Sequence, residues 1–133
     1  MGDQNVDVMR RGLAAFREGG VEALLPFIHP DFRVTTPAEL VAEPDTYRGR
    51  EGIRRYFDSF YDAMDRIEFE PEDFIAVGET VVVPLTLRAR GRTTGIETEQ
   101  RVVQVWELED QQAIRVQVFA TLEEATEAAR QIG

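Results

Sequence analysis

An α+β fold, helices first and an antiparallel meander after them, is predicted by three observations. Apolar residues recur at helical spacing up to about Met64, they alternate after Arg66, and three turn signals divide the second half into hairpin-linked strands. Helices followed by a run of strands argue for helices segregated to one side of an antiparallel sheet, and against a parallel doubly wound arrangement.

The first helix carries Val6, Met9, Leu13 and Phe16 on one stripe and stops at Gly19-Gly20. A short second helix, "VEALLPFI", ends before Pro30, and "DFRVTTP" reads as a short strand. "AELVAEPDTYRGR" is expected to be a loop into a third helix, with Ile53, Tyr56, Phe57, Phe60 and Met64 on its apolar stripe. Gly49 suits the start of that helix, and Glu51 suits the positive end of its dipole. "IEFEPEDFIAV" is a strand interrupted at Pro71, where an edge or bulge is expected. Gly78-Glu79, "GRTTG" and "EDQQ" are turns between "TVVVPLTLRAR", "IETEQRVVQVWEL" and "AIRVQVFA". "GRTTG" lacks the following helix that a phosphate-binding loop needs, so it is a hairpin turn. Thr121 with Glu124 three residues on is a capping box that opens a last helix.

The 133 residues suit one domain, 1–133, without repeat or linker. No run of about 18 apolar residues exists to span a membrane. The start, "MGDQNVDVMRR", has no apolar signal region, and Val6 breaks the myristoylation pattern. Zero cysteines exclude disulfides, thiolate metal sites and a cysteine nucleophile, and suit a cytoplasmic location. With one histidine and no ligand spacing around it, no metal and no cofactor is expected. A net charge of −10, with basic residues scattered singly or in pairs, argues against nucleic acid or an anionic membrane as partner.

Alternation sorts the long strands into faces. Val81, Val83, Leu85, Leu87 and Ala89 share one face of their strand, and Val82, Pro84, Thr86, Arg88 and Arg90 the other. In the next strand Ile96, Thr98, Gln100, Val102, Gln104, Trp106 and Leu108 form a face with no formal charge, two amides and the only tryptophan. Buried amides need hydrogen-bond partners, and a mostly apolar pocket with a few convergent polar groups would supply them. The plainer alternative places Gln100 and Gln104 in solvent and Trp106 in the core. The last strand divides into Ile114, Val116 and Val118 against Arg115, Gln117 and Phe119.

Three segments, "AAFREGGVEALLPFIHPDFRVTTP", "TYRGREGIRRYF" and "QRVVQVWELEDQQAIRVQVFATLEEATEAA", resemble SnoaL-like proteins of the nuclear transport factor two-like superfamily. That group includes ketosteroid isomerases and polyketide cyclases. The resemblance spans nearly the whole chain and implies a cone: a strongly curved, mainly antiparallel sheet wrapped around the N-terminal helices, a cystatin-like α+β barrel with a short C-terminal helix. It further implies a pocket on the concave face lined by Val34, Thr36, Val83, Leu85, Leu87, Gln100, Gln104, Trp106, Gln117 and Phe119, with Tyr56 or Phe60 from the third helix. Arg115, Gln104 and Gln117 would orient polar groups of a small organic ligand. The opposite, convex face, with Val103, Val105, Val116 and Val118, would be the surface of a homodimer, since exposed valines there would otherwise be a liability.

The resemblance does not carry the isomerase chemistry. That chemistry needs a carboxylate base before the proline of the first strand, a tyrosine on the first helix and a protonated acid on the middle strand. The matching positions here hold Thr36, Gly12 or Leu13, and Gln104. An epoxide-hydrolase arrangement needs two inward acids around an arginine, and Glu97 and Glu99 have the wrong parity to flank Arg115. If a base exists, the candidates near the pocket lip are His29, Asp31 and Glu39. His29 lacks an orienting partner and Asp31 suits a turn, so both read first as structural. The expected function is therefore binding of a small ligand without catalysis. The alternative is a cyclase-, isomerase- or hydratase-type enzyme acting on a small apolar, polyketide- or terpenoid-like substrate.

Overall fold

The computed structural model describes residues 2–35 and 46–132, apart from the side chains of residues 2, 34, 35, 46, 47 and 59–63. Helix α1 runs Gly2–Leu24 and is broken at Gly20, whose φ of 74° is in the left-handed region where glycine costs least. The expected two helices are thus the two arms of one bent element. A 3₁₀ turn, Leu25–Phe27, leads into β1, Ile28–Thr35. Strand β2 is Thr46–Arg48 and α2 is Gly49–Ala63. There follow β3 Met64–Pro71, β4 Ile75–Val77, β5 Thr80–Gly91, β6 Glu97–Glu109, β7 Gln112–Phe119 and α3 Leu122–Ile132.

The expected loop before α2 therefore holds a short strand. Thr46–Arg48 pairs antiparallel with β1, Thr35 opposite Thr46 and Arg33 opposite Arg48. Three residues are too few for alternation to be visible in a sequence. Gly49 has φ 69°, and a Cβ there would lie 3.1 Å from the Pro30 carbonyl oxygen. The Arg50 Nε–H donates to the Ile28 carbonyl at 3.1 Å. Helix α2 is thereby tied at its start to the beginning of β1.

The seven strands form one sheet in the order β2-β1-β7-β6-β5-β3, with β4 also on β5. Among the described residues, only β1 and β7 pair in parallel; the remaining pairs are antiparallel. Together with the three helices, the curled sheet makes the α+β cone expected of the chain. The turn between β6 and β7 places Asp110 and Gln111 at φ 52° and 65°, the geometry of a two-residue hairpin turn.

The sheet has two apolar faces. On the inner face Val81, Val83, Leu85, Val102, Trp106, Val116 and Val118 pack with Met9, Leu13 and Phe16 of α1, Ile53 and Phe57 of α2, and Phe32 of β1. On the outer face Val82, Val103 and Val105 pack with Ala125 and Ala129 of α3, with Phe119 at the margin. The N-terminus of α3 is capped as expected: the Glu124 N–H donates to Thr121 Oγ1 at 3.2 Å, and the Thr121 hydroxyl donates to the Glu124 carboxylate at 3.0 Å.

Two corrections follow. The last strand faces the opposite way from the expected assignment: Val116 and Val118 point inward, while Arg115, Gln117 and Phe119 point outward. Register makes this unavoidable, because Trp106 pairs with Val116 and Gln104 with Val118, and paired residues share a face. The outer valines, second, are not left exposed for a partner. Val103 is 6% exposed and Val105 1%, because the small Ala125 and Ala129 let α3 lie close against them.

Candidate ligand-binding site

The inner face of β6 places Gln104 and Trp106 two residues apart on the same side of the strand. Both are buried, Gln104 to 9% and Trp106 to 4% exposure. The Trp106 indole Nε1–H donates to Gln104 Oε1 at 2.9 Å. Indole nitrogen can only donate, so this bond fixes which end of the carboxamide is oxygen. The Gln104 amino group must then point the other way, and among the described residues nothing accepts from it.

What it points toward is a small cavity of about 30 Å³ between the sheet and the two long helices. Gln104 and Trp106 form its floor with Val116 and Val118, and Leu13, Phe16, Leu24, Ile53, Tyr56, Phe57 and Phe69 form the rest of its lining. The aromatic wall is continuous. Phe16 lies 4.7 Å from Phe57 and 5.3 Å from Phe69 between ring centroids, and Phe57 meets Tyr56 and Phe69 edge-on at 5.4 and 6.1 Å. Phe32 stacks near Trp106 at 6.2 Å and holds the indole from the β1 side. Among the described residues, no acid, histidine or arginine lines the cavity. It is therefore an apolar box whose polar groups are the Gln104 amide, the Trp106 indole N–H and the Tyr56 hydroxyl.

Of the residues expected around a pocket, Tyr56, Gln104 and Trp106 come together here. Leu85 and Leu87 belong to the same core without lining the cavity. Gln100 shares the parity of Gln104 but is exposed, because β6 from Glu97 to Arg101 runs beyond the helices. Arg115, Gln117 and Phe119 are on the outer face; Arg115 Nη1 lies 3.5 Å from Glu107 Oε2. Thr36 and Glu39 lie outside the described residues, as do the side chains of Val34 and Phe60.

His29 and Asp31 are not in the expected turn: they lie in the irregular first half of β1 and do not line the cavity. The Asp31 backbone N–H donates to His29 Nδ1 at 3.0 Å, and the Asp31 side chain is 84% exposed. Sequence reasoning missed Phe16, Phe57 and Phe69 as cavity walls because their periodicity reads only as core. The signal available for Phe69 was its alternation with Ile67, which puts both on one side of β3 opposite Leu87 and Ala89. Away from this site, Arg54, Arg90 and Arg66 hold the carboxyls of Glu22, Asp65 and Glu68 below their ordinary values through direct hydrogen bonds.

A curled sheet closed over two helices, with a cavity between, is the arrangement the comparisons also find. A family model described as a SnoaL-like domain matches residues 9–116. The chain belongs to the SnoaL-like domain family. No curated protein sequence matches it. Among solved structures, a nuclear transport factor two-like protein of unknown function from Burkholderia pseudomallei is 22% identical, with 93% of this chain and 95% of that one covered at a TM-score of 0.78. TerC, co-crystallised with polyporic acid, is 23% identical over 95% of this chain and 98% of its own, also at 0.78. A candidate SnoaL-like polyketide cyclase from a Jannaschia species is 19% identical over 97% and 93%, at 0.73. At these identities the likeness is one of fold.

Proposed function

We propose that this SnoaL-like domain binds a small, uncharged, largely apolar organic molecule and does not transform it. The observation that carries the reading is the Gln104 carboxamide, clamped by Trp106 so that its amino group faces a mostly apolar cavity. A ligand suited to it presents a carbonyl or ether oxygen to Gln104 and an apolar body to the aromatic wall. The co-crystallisation of TerC with polyporic acid supports the idea that such a scaffold accommodates a small organic molecule. The cavity of about 30 Å³ has room for roughly one water, so binding requires the wall to move. Tyr56, half-buried at the end of the aromatic row, is the side chain best placed to do so.

The catalytic alternative, a cyclase-, isomerase- or hydratase-type reaction, needs an acid or base aimed inward. The lining residues supply none, and His29 and Asp31 are occupied with each other. A cytoplasmic homodimer is part of the proposal, with its surface moved from the valines. The β5–β6 hairpin projects past the core and leaves Ile96 61% exposed, which suits a contact with a second copy. Native mass spectrometry of gently purified protein tests both parts. A dimer carrying a reproducible mass excess, lost in Gln104→Leu, is expected. A monomer would remove the dimer, and a wild-type mass free of any excess, with no thermal shift from neutral aromatic ketones, would remove the ligand.

A further inference from the structure

Among the described residues, the outer face carries a run of positive charge faced by a single carboxylate. Arg48 on β2 is the antiparallel register partner of Arg33 on β1, and Arg33 is the parallel partner of Arg115 on β7. Arg115 in turn stands opposite Glu107 on β6. Register partners point to the same side, on strands roughly 5 Å apart. Three guanidiniums therefore form one row across three adjacent strands, with a single carboxylate at its end.

Like charges directly opposite one another destabilise a sheet, and arginine cannot shed its proton. This chain has 25 acidic residues against 15 basic ones, so pairing partners are plentiful. Elsewhere on the outer face the arginines are matched: Arg88 with Glu70, Arg90 with Asp65, Arg101 with Glu72. In the row, Glu107 faces Arg115 at 3.5 Å, with its Oε2 shielded from solvent. Among the described residues neither Arg33 nor Arg48 meets a carboxylate, and both are exposed.

An open groove of about 540 Å³ lies beside the row. Arg33, Arg115, Glu79, Glu107 and Glu109 line it, with Ile114 and Ile132 as apolar surface. Arg48 extends the arginine row from Arg33, on the side away from Glu107. We propose that the Arg33–Arg48 part of the row binds the carboxylate or phosphate group of a small organic anion, whose apolar part rests on Ile114 and Ile132. Planar guanidinium forks hold such groups through paired, charge-assisted hydrogen bonds, and the bound anion offsets the repulsion among the three arginines. The site lies on the opposite side of the sheet from the Gln104 cavity and is independent of it.

The test titrates phenyl phosphate, benzoate and inorganic phosphate into the protein at low ionic strength, following arginine Nε–Hε resonances and thermal stability. Saturable shifts of Arg33, Arg48 and Arg115 are expected, with phenyl phosphate or benzoate, whichever carries the fitting acid group, bound more tightly than inorganic phosphate. The R33Q/R48Q variant should weaken binding by about tenfold or more, each lost charged contact being worth that order. Without anion the same variant should melt higher than wild type, because the repulsion is gone, whereas Gln104→Leu should leave anion binding unchanged. Equal binding by wild type and R33Q/R48Q, or no saturable binding by wild type, overturns the site. Binding of inorganic phosphate as tight as that of phenyl phosphate overturns the organic part of the ligand.

Discussion

The two faces of the β5–β6–β7 sheet come from the same alternating strands but are closed by different means. The inner face meets two long helices through large side chains, and its single polar pair, Gln104 with Trp106, is sealed inside. The outer face is divided. Val82, Val103 and Val105 lie beneath α3, and beyond that helix the strands carry paired charges such as Arg90 with Asp65 at 2.9 Å. Bulky aromatics leave a gap on one side; small alanines let α3 close over the valines on the other.

The largest expected effect comes from reopening the outer face. Ala129 is fully buried against the valines, so Ala129→Asp should cost about 2–4 kcal/mol, limited by α3 detaching instead of burying its carboxylate. Urea unfolding measures the loss. Detachment should also raise binding of an apolar fluorescent dye and drive self-association through the uncovered valines. If Ala129→Asp unfolds at the wild-type urea midpoint without extra dye binding, α3 does not close this face and the contrast between the faces collapses.

On the inner face the expected loss is smaller and more specific. Gln104→Leu leaves the Trp106 N–H buried without an acceptor, at a cost of about 1–3 kcal/mol. Trp106→Phe removes the donor but also leaves a void. Combined, the two changes should cost less than the sum of the single losses by about 1 kcal/mol, since neither partner is then stranded. Strict additivity in the same unfolding experiment would mean that the pair does not organise the cavity floor.

Much of this contrast is legible in the sequence, and its limits are instructive. The helical stripe Leu13–Phe16, the capping box at Thr121 and the hairpin turns are local features, and local spacing reports them faithfully. Alternation also shows that Gln104 and Trp106 share a side. It does not say which side of β7 joins them, because that depends on register with β6: Gln104 opposite Val118 turns Gln117 and Phe119 outward. Nor can spacing reveal that α3 covers Val103 and Val105, or that Arg33, Arg48 and Arg115, far apart in the chain, stand in one row. Those facts are non-local. Gln100 illustrates a third limit: correct parity does not bury a residue where the strand outruns the helices.

The smallest expected effect concerns the charged surface away from both apolar faces, and it has a definite sign. Hydrogen bonds from Arg54, Arg90 and Arg66 hold Glu22, Asp65 and Glu68 below the ordinary values of 4.5, 3.8 and 4.5. The folded state therefore binds fewer protons than the unfolded chain in this range, and stability rises with pH there. The contribution is complete above the unfolded values and is lost as pH falls through the lowered, folded ones. Because all three pairs are exposed to solvent, salt should screen most of it. Melting temperatures measured from pH 6 down to about 3 should fall more steeply for wild type than for Glu22→Gln/Asp65→Asn/Glu68→Gln, with the difference shrinking at high salt. Identical slopes would show that these three ion pairs contribute nothing to stability.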